Sequence, residues 1–259
     1  MSEAILKGFG VLVTRPEHQA DELAAAIEEA GGEAIRFPVI EIEPYEPGEV
    51  NRCLEGLPAA NITIFISTNA VTYGLSYANG NETKIAAIGP STKAAIESAG
   101  RQVDIYPAQG FDSEHLLAEP ELQQVGGKNI RIVRGDNGRE LLADTLRERG
   151  ATVDYLPVYR RLSRVYSPSL LTGLEHRWRD GQVSCVVVMS VDSLNKLIDI
   201  LPAGARELLA ETPLVTPSAR VLRRASDRIP EAKVSLAESP QTDDMVRALV
   251  ACRQSRQAR

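Results

Sequence analysis

The chain has 259 residues, 43% apolar and 25% charged, with a formal net charge of −6 and an isoelectric point near 5.3. This is an ordinary globular composition, long enough for one large domain or two small ones. The acidic balance argues against nucleic acid or an anionic membrane surface as the main partner, and leaves room for a small anionic ligand held by a local cluster of donors.

The opening stretch MSEAILKGFG lacks the long apolar core of a signal peptide, and no apolar run approaches the roughly 20 residues of a membrane span. Cys53, Cys185 and Cys252 are far apart along the chain, odd in number and without metal-type spacing. A reduced cytoplasmic protein is expected.

The first patterned segment is VLVTRPEHQADELAAAIEEAGGEAIRF. A short apolar run, Val11 to Val13, gives way at Arg15-Pro16 to Leu23, Ile27 and Ala30 at helical spacing. Gly31-Gly32 stops the helix, and a strand resumes over Ala34 to Phe37. This is a β–α–β unit, the building block of parallel sheets. IRIVRGDNGRELLADTLRERGATVDYL repeats it, and the echo is plainest between GGEAIRFPVI at 31–40 and GATVDYLPVY at 150–159, where 150 − 31 gives an offset of 119. At that offset Arg15 falls on Arg134, Leu23 on Leu142, Glu29 on Glu148, Gly31 on Gly150 and Pro38 on Pro157.

A second kind of segment also occurs twice. ITIFISTNAVTYGL matches CVVVMSVDSLNKLI through Ser67 and Ser190, and IAAIGPSTKAAIESAG matches PLVTPSARVLRRASD through Pro90-Ser91 and Pro217-Ser218. Each proceeds to a third short strand and a Ser/Thr-capped helix, VDIYPAQGFDSEHLL against VSLAESPQTDDMVRAL. The order is A-B-A′-B′, and strands alternate with helices throughout. The expected class is α/β, with two similar domains, each a parallel sheet flanked by helices.

Four segments make two domains either by consecutive or by nested pairing. The extended, Pro-punctuated stretches PVIEIEPYEP and PVYRRLSRVYSP, one after each A segment, favour nesting, because together they could form a two-stranded linker. The expected domains are 1–39 with 168–259, and 45–160, with linkers at 40–44 and 161–167.

In an open parallel sheet, ligands bind beyond the carboxyl ends of the strands. Those junctions read Thr14-Arg15-Pro16, Ser67-Thr68-Asn69, Gly89-Pro90-Ser91-Thr92, Arg134-Gly135-Asp136, Ser190-Val191-Asp192-Ser193 and Thr216-Pro217-Ser218. Helix N-termini there expose backbone N–H groups that suit carboxylates or phosphates. For the hydroxyl and amide residues, simple helix capping, worth about 1 kcal/mol each, competes with ligand binding. Arg15 and Arg134 are harder to assign to capping, since a cation at a helix N-terminus is electrostatically unfavourable; structural pairing with a neighbouring acid is their bland alternative.

No G-x-G-x-x-G follows a strand, and no Walker A, H-E-x-x-H or G-x-S-x-G sequence occurs. His18, His115 and His176 sit in polar contexts without metal spacing and read as surface histidines. Tyr159 stands just after the repeated Pro-Val, where its counterpart is Ile40. A phenol, protonated at neutral pH, could donate a proton there; packing at a hinge is the competing role.

VLVTRP with AGGEAIRFPVIEIEP, then IFISTNAV, IAAIGPSTKAA, GRELLADTL and LPVYRR, in that order, resemble the uroporphyrinogen-III synthase family over roughly residues 10 to 250. The single motifs are weak; their order and spacing carry the resemblance. It implies two α/β domains on a two-stranded linker with the active site in the cleft between them, and hydroxymethylbilane, an open tetrapyrrole with acetate and propionate carboxylates, as substrate. The implied reaction removes the terminal hydroxyl, inverts the last pyrrole ring through a spiro intermediate and closes the macrocycle, without metal or organic cofactor. By motif, Ser67, Thr68, Asn69, Ser91, Thr92 and Ser218 resemble substrate-contacting positions, and Tyr159 the acid that helps the hydroxyl leave. Ala219 stands where many relatives carry a second hydroxyl, which removes that group here. With the junction residues Arg15, Arg134 and Ser190, these are the candidate site. A monomer is expected, and transient hand-over of substrate from the upstream bilane-forming enzyme is left open. The alternative function is a non-catalytic two-domain binding module for an anionic small molecule.

Overall fold

The structure is a computed structural model that describes residues 5–78, 83–138 and 140–257; the side chains of His18 and Gln257 also lie outside the described set. The described elements run in chain order as β1 (Gly10–Val13), α1 (Glu17–Glu29), β2 (Glu33–Arg36), β3 (Ile40–Pro44), α2 (Pro47–Leu54), β4 (Ile62–Phe65), α3 (Thr68–Gly74), β5 (Lys84–Ala87), α4 (Pro90–Ser98), α5 (Ser113–Ala118) and α6 (Pro120–Gln123). They continue as β6 (Asn129–Gly135), α7 (Leu141–Glu148), β7 (Thr152–Ser163), α8 (Pro168–Arg179), β8 (Cys185–Val187), α9 (Val191–Ile200), α10 (Ala203–Glu211), β9 (Leu214–Thr216), α11 (Ala219–Arg228), β10 (Val234–Leu236) and α12 (Thr242–Gln257).

The strands form two five-stranded sheets, ordered β10-β9-β8-β1-β2 and β3-β7-β6-β4-β5. The first is parallel throughout, and in the second β7, β6, β4 and β5 run parallel. β3 runs against β7: Tyr45 N–H donates to Val158 O (3.0 Å) at one end and Arg164 N–H to Val39 O (3.2 Å) at the other. The α/β class is therefore as the alternation of strands and helices predicts.

The chain divides into two compact units, Met1–Glu41 with Leu162–Arg259, and Ile42–Arg161. Both divisions fall inside paired strands, β3 and β7, which form the two-stranded linker. On the first unit's side Phe37 stacks on Tyr166 at 4.4 Å, and Tyr166 Oη donates to Pro38 O at 2.9 Å. On the second unit's side Arg160 of β7 donates to Glu43 (3.1 Å) and Glu49 (2.8 Å), and lies over the Tyr45 ring.

Central strands are buried on both faces, as expected under helices on each side: β1, GVLV, and β4, ITIF, are buried at every position. One core of the first unit joins Val11, Val13, Leu23, Ile27, Val187, Val215, Met245 and Leu249. The second unit has a core on each sheet face, around Ile64, Ile132 and Leu146 on one and around Phe65, Val133 and Val158 on the other.

The duplicated segments end their helices in the same way. Gly31 and Gly150 adopt left-handed φ of 83° and 85°. Gly32 N–H reaches back to Ile27 O (2.9 Å) and Ala151 N–H to Leu146 O (3.1 Å), so each helix closes on the backbone of equivalent residues. Two expectations fail. The predicted strand in VDIYPAQ is a single bridge, Ala86 to Ile105, because Pro107 has no N–H with which to extend a ladder. The helix after it is capped by Asp112, whose carboxylate accepts from His115 N–H (2.9 Å), and not by a Ser or Thr.

Candidate functional site

Because β4, β5, β6 and β7 are parallel, the second unit gathers the loops after β4 and β5, the end of β6 and Tyr159 of β7 at one edge of its sheet. Ser67 is the N-cap of α3, its Oγ accepting from Ala70 N–H at 3.0 Å. The same oxygen is 3.1 Å from Tyr159 Oη, across 92 residues of sequence. Capping and pairing with the phenol thus coexist on one hydroxyl. Since Ser67 Oγ already accepts from a backbone amide, its own proton is free to be donated to Tyr159 Oη, leaving the phenol proton for another acceptor.

Tyr159 reaches Ser67 through an irregularity in the sheet. Arg134 pairs with Pro157 but Gly135 pairs with Tyr159, so Val158 is an extra residue on β7. Strict alternation would put Tyr159 on the face of Val153 and Tyr155. The bulge turns it instead to the face of Leu156 and Val158, into the core beneath α3. Tyr159 is only 5% exposed, and its ring lies 6.3 Å from the ring of Tyr73 and rests where a Cβ on Gly135 would come within 2.8 Å of it.

Thr68 begins α3, with its carbonyl accepting from Thr72 Oγ1 (3.1 Å), and Asn69 is buried in the first turn. Ser91 is exposed at the start of α4 and Thr92 buried beside it; Gly89, not a hydroxyl, occupies the N-cap position.

Arg134 is 4% exposed and pairs with Glu140 (Nη1 to Oε1, 3.2 Å), while its guanidinium carbon sits 4.4 Å over the Tyr155 ring. Its Nε has no hydrogen-bond partner among the described residues. Tyr155 Oη donates to Glu140 Oε2, and this bond, ahead of the Arg134 charge and against some burial, holds the Glu140 carboxyl below its ordinary value. Burial, then the bond to Glu140 and its charge, push the Tyr155 phenol up to about 12. Tyr155 and Glu140 are partners that the sequence reading missed. The available signal was the strand alternation of VDYLPVY, which puts Tyr155 on the face opposite Leu156 and Val158.

The first unit gathers the other candidates at the carboxyl edge of its own parallel sheet. Ser190 caps α9, accepting from Ser193 N–H (3.1 Å) and bonded to Ser193 Oγ (2.8 Å). Ser218 precedes α11 with no side-chain cap, its N–H donating instead to the fully buried Thr216 hydroxyl (3.2 Å). Arg15 is partly buried between β1 and α1 and makes no ion pair among the described residues. Burial lowers its pKa, partly offset by the charge of Glu22.

His115 is exposed, its Nδ1 2.6 Å from Asp112, and His176 is exposed on α8; the His18 side chain lies outside the described residues. No group of three or more His, Cys, Asp or Glu side chains that could hold a metal ion is found among the described residues, and none of their helices is long and apolar enough to cross a membrane. Cys185 and Cys252, far apart along the chain at 67 residues, place their sulfurs 4.0 Å from each other.

The chain matches the family model described as uroporphyrinogen-III synthase HemD over residues 21–247. Uroporphyrinogen-III synthase of Escherichia coli (strain K12) is 32% identical over 251 residues, covering 93% of this chain and all of the relative. That of Salmonella typhimurium is 30% identical over the same shares. Among solved structures, a mutant uroporphyrinogen III synthase from the extremely thermophilic bacterium Thermus thermophilus aligns with a TM-score of 0.61 at 20% identity, over 95% of this chain and 99% of that one. The synthetase from Helicobacter pylori gives 0.65 at 13%, over 94% and 99%; at such identities the likeness is one of fold. With a family match across 227 residues (247 − 21 + 1) and near full-length relatives, the chain belongs to the uroporphyrinogen-III synthase family.

Proposed function

We propose that this protein cyclises hydroxymethylbilane to uroporphyrinogen III, with loss of water and inversion of the last pyrrole ring, and that Tyr159 is the acid that assists departure of the hydroxyl. The observation that carries the chemical assignment is the Tyr159–Ser67 contact at the carboxyl edge of the second sheet. As the C–O bond breaks, the phenol proton passes to the leaving oxygen and water departs, while the pyrrole nitrogen stabilises the cation left on the ring. Ser67, anchored by Ala70 N–H, donates to the phenolate as it forms. General acid assistance of this kind contributes about 10²–10⁴-fold.

The substrate's carboxylates are assigned to the strand-to-helix junctions: Thr68, Asn69, Ser91 and Thr92 in the second unit, and Arg15, Ser190 and Ser218 in the first; Arg134, 4% exposed and paired with Glu140, supports its junction instead of meeting a carboxylate. Arg15 supports this role most directly, as a partly buried cation at a helix N-terminus with no ion pair among the described residues. The backbone N–H groups of α3, α4, α9 and α11 share the load, so no single hydroxyl should be essential. The two units are proposed to be domains, 1–39 with 168–259 and 45–160, linked by 40–44 and 161–167. The protein is proposed to act as a monomer and without a cofactor.

The deciding experiment incubates the purified chain with enzymatically generated hydroxymethylbilane and separates the product isomers after oxidation. The inverted isomer is expected, formed faster than spontaneous closure. Only the non-inverted isomer, at the rate seen without protein, would overturn the reading.

A further inference from the structure

Cys185 lies on the central strand β8 and is fully buried; Cys252 lies on α12, is 5% exposed, and its sulfur is 4.0 Å from that of Cys185. Buried cysteines are usually inert small apolar side chains. These two differ in three respects. Their sulfurs touch across a strand and a helix that are otherwise separate in sequence. A cavity of about 350 Å³ opens on Cys252 but not on Cys185, and its wall also carries Lys233, Arg256, Glu211, Ser235 and Ser255. Arg256 is held there by its bond to Ser184 O (2.8 Å), so a fixed cation stands beside the accessible sulfur. Electropositive, partly accessible surroundings are what favour a thiolate.

We propose that Cys252 and Cys185 form a reactive dithiol, in which Cys252 attacks a hydroperoxide entering this cavity and Cys185 closes the product to an intramolecular disulfide. In the first step the Cys252 thiolate attacks one peroxide oxygen. The S–O bond forms, the O–O bond breaks, and sulfur loses two electrons to the oxygen that leaves as hydroxide and is protonated to water. In the second step the Cys185 sulfur attacks Cys252 Sγ. The S–S bond forms, the S–O bond breaks, and the departing hydroxide takes the Cys185 proton as a second water. Two thiols and one hydrogen peroxide give one disulfide and two waters.

The placement suits the second step. Cys252 lines the cavity, whereas Cys185 is fully buried and forms no part of the cavity wall, so the peroxide meets Cys252 first and Cys185 is left to act on the product. Closure to a bond of about 2.05 Å needs roughly 2 Å of approach between the sulfurs. The division of roles also follows the surroundings. The contact with Cys185, then the Arg256 charge, lower the Cys252 pKa against burial, while burial above all raises that of Cys185. Cys53 is exposed and bonded to neither.

The test uses the full-length chain with Cys53→Ser, reduced, treated with hydrogen peroxide while folded, then blocked with a maleimide in denaturant and digested for mass spectrometry. The expected result is loss of both titratable thiols, a linked peptide pair containing Cys185 and Cys252, recovery of both thiols with dithiothreitol, and a higher Tm for the oxidised chain. Adding Cys185→Ala should abolish the link and leave a dimedone-reactive sulfenic acid on Cys252. Should that variant not fold, the mapping in Cys53→Ser alone decides. Two thiols that stay titratable after peroxide in the folded chain would overturn the proposal, as would a link that forms only in denaturant.

Discussion

The two β–α–β repeats use one framework for two kinds of arginine. In the first, Arg15 follows β1, and the acid at the matching place on the helix is Asp21, which pairs with Arg36 of β2 at 2.5 Å. In the second, the offset of 119 puts Arg134, Glu140 and Tyr155 at those three positions. Tyr155 is neutral and donates to Glu140 without neutralising it, so the carboxylate is left to serve Arg134. One substitution on the strand, Arg36 against Tyr155, decides whether the repeat's arginine has an ionic partner. Arg134 is thereby built into the structure, while Arg15 remains a partly buried cation whose charge burial disfavours. The strands diverge as well. β2 stops before Pro38, but β7 runs through Pro157 and the extra Val158 to deliver Tyr159, where the first repeat has Ile40.

The largest expected effect tests that delivered phenol. Tyr159→Phe keeps the ring against Gly135 and Tyr73 and removes only the hydroxyl. Ser67 still caps α3, so Tm should change by no more than the loss of one hydrogen bond, about 1 kcal/mol. Turnover should fall about 10²–10⁴-fold with substrate binding retained. Hydroxymethylbilane also closes unaided to the non-inverted isomer, so isomer ratio and rate are measured together. Wild-type values for both would assign Tyr159 to packing alone.

Gly135→Ala probes the bulge itself. The added Cβ would come within 2.8 Å of the Tyr159 ring, and Tyr159 is a buried residue whose ring must shift to admit it. A loss of about 1–3 kcal/mol is expected by urea denaturation, with a fall in turnover as the phenol shifts from Ser67. The matching position in the first repeat is Pro16, and Ile40 stands where the second repeat has Tyr159. Unchanged stability and turnover would mean that the fit of Gly135 to Tyr159 is incidental.

These features differ in how plainly the sequence announces them. The helix stops at Gly31 and Gly150 are local, since a left-handed residue after a helix selects glycine, and both are legible. So is the collection of Ser67, Ser91, Arg134, Ser190 and Ser218 at strand ends, because it follows from alternation of strands and helices. The Tyr159–Ser67 contact is not, because a strand of period two predicts the wrong face for Tyr159 and only the bulge corrects it. Asp112 was missed as a cap because FDSEHLL offers an Asp and a Ser in succession, and the backbone places the first of them at the N-cap. The neighbourhood of Cys185 and Cys252 depends on where α12 packs, which no local pattern encodes.

Truncating the two arginines should separate their roles. Arg134→Ala leaves Glu140 without its cation and uncovers the Tyr155 ring, at an expected cost of about 2 kcal/mol in folding stability. Arg15→Ala removes a cation without an ion pair among the described residues, so stability should stay within about 0.5 kcal/mol of wild type. Its effect should fall on substrate instead, with KM raised roughly tenfold, the loss of one charge-assisted contact. If Arg15→Ala destabilised the fold and left KM alone, the contrast between the repeats would be reversed.

The smallest effect concerns Glu140. Its carboxyl pKa is depressed by the Tyr155 hydroxyl and then by Arg134, so ionisation favours the folded state. That contribution is fully present above the ordinary glutamate pKa of about 4.3, and is lost as pH falls through the lower folded value. Glu140→Gln removes the titrating group. The Tm gap between wild type and this variant should therefore be widest near neutral pH and should close below about pH 4. More than half of the Glu140 side chain is exposed, so solvent screening limits the gap to a few tenths of a kcal/mol, roughly the scale of surface pairs. The same variant has an alkaline signature. Tyr155 is held neutral up to about 12, so its contribution is present below the ordinary phenol value and lost as pH rises through the folded one. Without the Glu140 charge, the Tyr155 titration, followed by phenolate absorbance, should move to lower pH. Asp21→Asn in the first repeat has no phenol to release and should leave every tyrosine titration where it was. Identical alkaline titrations for wild type and Glu140→Gln would mean that burial alone raises Tyr155, and that the acid belongs to Arg134 only.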